Sequence, residues 1–138
     1  MKQISLAFAL LVLVTSFTIK QGPPAGSVSL YTTQWILKSI HGKDKVDYIY
    51  TRAFIKFDET KKRAGGNGSC NSFGSSLFIL NDTIRISQLF STKMYCEGVQ
   101  EIEKSFFSQL GRANRFEING KTLLLYLDKE LLLEFAAE

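Results

Sequence analysis

Two kinds of apolar pattern divide the chain. Ile4 to Val14 (ISLAFALLVLV) is apolar at every position but Ser5, whereas beyond Gln34 apolar residues come mostly at alternate positions. Alternation marks strands with one face in a core and the other in water. Gln34 to Ile40 (QWILKSI) predicts a first strand with Trp35 and Leu37 sharing a face. Asp47 to Phe57 (DYIYTRAFIKF) predicts a longer one, in which Ile55 and Phe57 alternate with Phe54 and Lys56. Past the glycine-rich span Ala64 to Ser69, Ser76 to Leu80 (SLFIL) and Thr83 to Leu89 (TIRISQL) flank Asn81-Asp82, the composition of a hairpin. Ile84 and Ile86 face one way there, with Thr83, Arg85 and Ser87 facing the other.

One segment changes period. From Glu97 to Leu110, Val99, Ile102, Phe106, Phe107 and Leu110 fall on one side of a helix. Glu101, Glu103, Lys104 and Gln109 take the other side, and Gly111 is the expected C-terminal stop. RFEIN, Asn119-Gly120 and KTLLLYL then predict a tight hairpin. Asp128-Lys129-Glu130 turns the chain into LLLEF, with Leu131, Leu133 and Phe135 on one face and Leu132 and Glu134 on the other. Strands, one helix and strands again, with no βαβ rhythm, argue against a parallel nucleotide-binding sheet. The expected fold is α+β: a single domain whose curved antiparallel β-sheet, a partial barrel, wraps around one α-helix.

The apolar start has another meaning. Lys2, about eleven apolar residues and the exit TSFT have the layout of a secretory signal peptide, assigned to residues 1–18. An uncleaved membrane anchor is the alternative, although a span needs roughly 20 apolar residues and Thr15, Ser16 and Thr18 interrupt the count. No cysteine follows the apolar run, so lipid attachment of the bacterial lipoprotein kind has no acceptor. Residues 19–33 are a polar linker and 34–138 the folded domain. The expected location is periplasmic or secreted, with membrane association only if the first segment is retained.

A net charge of +4 on 138 residues changes little. Lys61, Lys62 and Arg63 form the one basic triplet, preceded by Asp58 and Glu59. That composition fits a solvated turn, and a nucleic-acid surface would need a broader basic stripe with aromatics.

Candidate chemistry centres on Gly65 to Gly74 (GGNGSCNSFG). A phosphate-binding loop requires Gly-Lys-Ser/Thr opening a helix, but Gly74 leads into Ser75, Ser76 and a strand. The dinucleotide fingerprint lacks its third glycine. A thiol nucleophile at Cys70 would need a base, and His41 is the only histidine. Two cysteines and one histidine are too few for zinc. In an exported chain Cys70 and Cys96 pair most simply with each other, pinning the glycine-rich turn to the helix entrance. In a reducing cytosol this argument lapses, leaving two reduced, buried thiols.

Gly68-Ser69-Cys70-Asn71-Ser72-Phe73 resembles the Gly-x-Cys-Asn-x-aromatic signature of the META domain, the family of the bacterial heat shock protein HslJ. Ser91 to Cys96 (STKMYC) resembles that family's Thr-basic-Met-x-Cys block, which here carries Thr92 and Met94. Trp35-Ile36-Leu37 with Ile40 and Gly42 is similar to its opening strand. Glu103 with Phe106, Phe107 and Leu110 is similar to its helix, and Leu123 to Phe135 to its closing hairpin. One departure is Gly74 directly after Phe73, which shifts the expected bend by one residue.

The resemblance implies an exported or envelope-associated α+β domain linked to heat and stress tolerance, with no catalytic residues; no metal or cofactor is expected. Gly68, Asn71, Phe73, Thr92 and Met94 are then structural motif residues. The expected function is a non-enzymatic, monomeric binding module whose partner is an envelope protein or lipid-like ligand, with Tyr31, Tyr48, Tyr50 and Phe90 as rim aromatics. A structural accessory of an envelope assembly and a thiol-dependent enzyme are the alternatives.

Overall fold

The computed structural model describes residues 28–42, 46–48 and 51–138, the backbone alone for 46–48. The signal-peptide segment and Tyr50 lie outside the described residues. β1 (Trp35–His41) carries β9 (Glu130–Ala137) on one edge, and on the other both β2 (Val46–Tyr48) and β3 (Phe54–Asp58). The sheet continues through β4 (Arg63–Asn67), β5 (Ser72–Leu80), β6 (Thr83–Ser91), β7 (Arg115–Asn119) and β8 (Thr122–Leu127) to β9. The β1–β9 pairing closes β1 and β3 to β9 into an antiparallel ring around the helix α1 (Gln100–Arg112). This is the α+β partial barrel expected from the pattern.

The seam of the ring is β6 against β7, paired only at Thr83 and Arg115. The helix makes up the difference by packing against β6. Its Phe106 and Leu110 are fully buried, and Phe106 meets Phe73 and Phe135 edge-on at 5.8 and 6.1 Å between ring centroids. Trp35, Leu37, Ile55, Ile84, Leu123, Leu125, Leu133 and Phe135 complete the interior. The chain before β1 joins it as well: Leu30 is buried and its carbonyl accepts the Trp35 indole N–H at 3.0 Å.

Four local readings of the pattern are corrected. The long second strand is two, because β2 and β3 share one edge of β1 in registers three residues apart. Just ahead of β3, Leu37 N–H bonds Ala53 O at 2.9 Å. Leu132 turns inward beside Leu133, since a bulge opposite Leu125 and Tyr126 breaks the alternation. The helix starts three residues late and runs through Gly111 to Arg112. It ends where Ala113 turns extended and Asn114 N–H bonds Tyr126 O at 2.8 Å, feeding β7. Glu103, assigned to the solvent side, is buried.

The glycine-rich span is partly strand. Gly65 and Gly66 lie within β4, and a side chain at Gly66 would put its Cβ 2.0 Å from Phe54 O. That close approach lets the sheet curl tightly.

Candidate functional site

Beyond β4 the loop Gly68 to Asn71 folds over the start of α1. Gly68 N–H bonds Asn71 O at 2.8 Å, and Asn67 Oδ1 accepts Ser69 N–H at 2.8 Å. Ser69 adopts φ +97°, strained for an L-residue, and its buried Oγ has no hydrogen-bond partner. Gly68 must be glycine on contact grounds: a Cβ there would sit 2.6 Å from both Glu103 Oε2 and the Phe107 ring.

Glu103 is the centre of the arrangement. Its Oε2 accepts the backbone N–H groups of Asn71 (2.6 Å) and Cys70 (3.1 Å), and its Oε1 accepts Asn71 Nδ2 (2.6 Å). A buried carboxylate is costly unless its oxygens are satisfied, and here three neutral donors do that. Asn71 has no spare capacity either. Nδ2 donates to Glu103 Oε1 and to Met94 O (3.1 Å), while Oδ1 accepts Thr92 Oγ1 (2.8 Å) and Met94 N–H (2.7 Å). The side-chain amide thus replaces a strand partner for Thr92 to Met94, which has no regular structure of its own.

Cys70 and Cys96 form a disulfide with Cα atoms 5.9 Å apart, closing the loop onto the approach to α1. Phe73, the motif aromatic, packs edge-on against Phe107 at 5.2 Å as well as against Phe106. Gly68, Cys70, Asn71, Phe73, Thr92, Met94 and Cys96 therefore gather in one place. Sequence reasoning missed Glu103 as their organiser. The signal was its position, three before Phe106 and seven before Leu110, on the apolar stripe.

The thiol nucleophile is absent, because the Cys70 sulfur is bonded to Cys96. His41 is engaged elsewhere: its Nε2 lies 2.9 Å from Ser39 Oγ and 3.9 Å from Glu134 Oε2. A catalytic triad would place the acid on the opposite ring nitrogen from the serine. Here one nitrogen faces both groups, and Ser39 is fully buried. Among the described residues, no group of three or more His, Cys, Asp or Glu side chains is placed to hold a metal ion.

Around this core several apolar side chains are left in water. Met94 is 57% exposed and Tyr95 81%, both on the segment that Asn71 holds. They border a groove with Lys93, Gln100, Lys104 and Phe107. Phe90, 68% exposed, lies on another face of the sheet, and Tyr31 packs against the core. Burial and, secondarily, the charge of Glu59 raise the Tyr31 hydroxyl above its ordinary pKa. The Tyr48 side chain lies outside the described residues.

A family model described as the META domain matches residues 28–138. No curated protein matches the chain. Among solved structures, an NMR structure of a protein from Burkholderia xenovorans is similar, at 19% identity and a TM-score of 0.68, over 87% of this chain and 99% of that one. A crystal structure of a DUF4847 family protein from Bacteroides vulgatus is similar at 14% identity and a TM-score of 0.55, over 78% of this chain and 93% of that one. At such identities the likeness is one of fold. The match over the whole described domain, with the motif residues gathered in one bonded cluster, makes the chain a member of the META domain family.

Proposed function

We propose that this protein is an exported, non-catalytic binding module of the bacterial envelope that supports tolerance of heat and related stress. Its partner, an envelope protein or a lipid-like ligand, docks on exposed side chains carried by the motif cluster. One observation carries the reading: every hydrogen-bonding position of the Asn71 side chain is used internally, in holding the segment that exposes Met94 and Tyr95. Rigid presentation of apolar anchors lowers the ordering cost of association. Export is supported by the basic, apolar, small-residue start and by a disulfide, which persists in oxidising compartments.

The test uses immobilised protein exposed to envelope extracts and to lipid vesicles, at growth and heat-stress temperatures. A defined partner retained by the protein, and lost on replacing Met94 and Tyr95 by alanine, is the expected result. Equal retention by that variant, or no retained partner under any condition, overturns the reading. Intact mass of the exported protein, with and without reductant and alkylation, tests signal removal and thiol status together.

A further inference from the structure

Four residues in register cross the outer face of the sheet. Lys56 of β3 pairs with Gly65 of β4, Gly65 with Gly74 of β5, and Gly74 with Phe90 of β6. The residues beside the two glycines, Ala64 and Ser75, are buried, so the glycines face outward with Lys56 and Phe90. Neighbouring strands lie about 4.8 Å apart, which puts roughly 14 Å between Lys56 and Phe90 with no side chain rooted between them. The Phe90 ring leans back over Gly74, where an added Cβ would come within 2.6 Å of Cζ. Its far face stays in water, and bare backbone remains over Gly65.

This floor belongs to a cavity of about 690 Å³ that Arg63 and the β3–β4 turn also line. Within the turn Lys61 is 3.5 Å from Asp58, whose carboxylate also accepts the Lys61 backbone N–H at 2.9 Å. Neither Lys56 nor Arg63 makes an ion pair among the described residues. The surface thus combines a flat floor, the exposed Phe90 ring and the cations of Lys56 and Arg63, with Tyr31 and Glu59 also on its wall and the Lys56 ammonium 5.8 Å from the centre of the Phe54 ring.

That combination suits a rigid ring with one apolar face and a carboxylate. An acyl chain would stay in water on an open floor, and the interior is filled by Trp35, Phe106 and Phe135. A peptide adding as a further strand would need a free strand edge, whereas β4 and β5 are paired on both sides. We propose that the groove binds an acidic sugar residue of a glycan, its ring on Phe90 and Gly65 and its carboxylate between Lys56 and Arg63. The proposal rests on the reading of the chain as a binding module and adds to it a second surface, apart from Met94 and Tyr95, with its own ligand class.

The experiment is a titration of the ¹⁵N-labelled protein with trigalacturonate, with maltotriose as the neutral counterpart and hexaglutamate as an acidic peptide. Trigalacturonate is expected to shift the amides of Gly65, Gly74 and Phe90, and maltotriose to bind more weakly. Phe90→Ala should weaken binding about tenfold, the scale of a lost stacking contact. Lys56→Ala should weaken it about threefold, the scale of an exposed ion pair, and added salt should act the same way. Both side chains are exposed, so an unchanged spectrum away from β3 to β6 verifies that the variants are folded. No shift at millimolar trigalacturonate, shifts confined to another face, or equal binding of hexaglutamate overturns the assignment. Retention of an envelope partner through Met94 and Tyr95 is a separate result, so failure here is distinguishable from failure of the wider reading.

Discussion

The Asn71 side-chain amide donates to the Glu103 carboxylate at 2.6 Å across 32 residues of sequence, and this pair holds three segments together. Glu103 also takes the backbone N–H groups of Cys70 and Asn71, and Asn71 also takes Thr92 and Met94. Replacing Glu103 by alanine strands three donors in a buried site. The expected loss is about 3 kcal/mol or more, since each unsatisfied buried group costs about 1–3 kcal/mol. Glu103→Gln is no rescue. One oxygen can serve both backbone donors, but the new amide then faces Asn71 Nδ2, which its own bonds keep from flipping. Urea denaturation of both variants checks this, and a Gln variant as stable as the parent would refute it.

The disulfide works beside that network. Cys70 and Cys96 are 26 residues apart, and closing a loop of that length is worth about 3.5 kcal/mol in the chain-entropy account. Replacing both by serine should lower stability by that order. Amide exchange should rise first around Val99 to Ile102, at a helix start that has no side-chain cap. Unchanged exchange there, with an unchanged denaturation midpoint, would mean that the Asn71 contacts suffice alone.

Gly66 and Gly74 predict unequal costs for one substitution. A Cβ at Gly66 would stand 2.0 Å from the Phe54 carbonyl oxygen, a backbone atom locked in the β3–β4 pairing. Gly66→Ala must therefore distort the sheet, with an expected cost of about 3 kcal/mol, at the high end for overpacking. At Gly74 the obstacle is the Phe90 ring, an exposed side chain free to swing away. Gly74→Ala should cost under about 1 kcal/mol, as for most surface changes. Comparable melting temperatures for the two variants would contradict this account.

The turn around Asp58 predicts a pH dependence with a definite sign. The Lys61 backbone N–H, aided by the Lys61 charge, holds its carboxyl below the ordinary value of 3.8, and burial opposes this only in part. A carboxylate whose pKa is lower in the folded state adds stability above the unfolded value and loses it as pH falls through the folded value. The contribution of this turn should thus be whole above about pH 4–5 and disappear in stronger acid. An NMR titration of the Asp58 carboxyl giving a midpoint above 3.8 would reverse the sign.

Strand alternation conveyed most of the architecture because it reports which face is buried. Ile84 and Ile86 turned inward as their spacing requires, and Asn81-Asp82 made the turn between β5 and β6. It failed where a bulge resets the phase, as at Leu132, because an extra residue is invisible without the partner strand. The helix pattern failed at Glu103 for a different reason. Charge argued for solvent, but the donors that make burial tolerable come from a loop 32 residues earlier in the chain. The motif's meaning was legible only in part: Cys70, Asn71, Thr92 and Met94 were visible as a set, while the carboxylate organising them looked like surface.

Ser69 offers the reverse of these losses. It holds φ +97°, a conformation that costs an L-residue of order 1 kcal/mol or more and glycine little. Its Oγ is buried without a partner, a further penalty of about 1–3 kcal/mol. Glycine would remove both terms, while the freer unfolded chain takes back about 0.4–1 kcal/mol. The bond from Ser69 N–H to the Asn67 side-chain Oδ1 uses no Ser69 side-chain atom and survives. Ser69→Gly should therefore stabilise the protein by about 1 kcal/mol, with a higher urea midpoint at an unchanged slope. Ser69→Ala separates the two causes, since it deletes the hydroxyl and keeps the Cβ strain, and should gain less. A glycine variant less stable than the parent would show that the serine hydroxyl contributes a bond at this site.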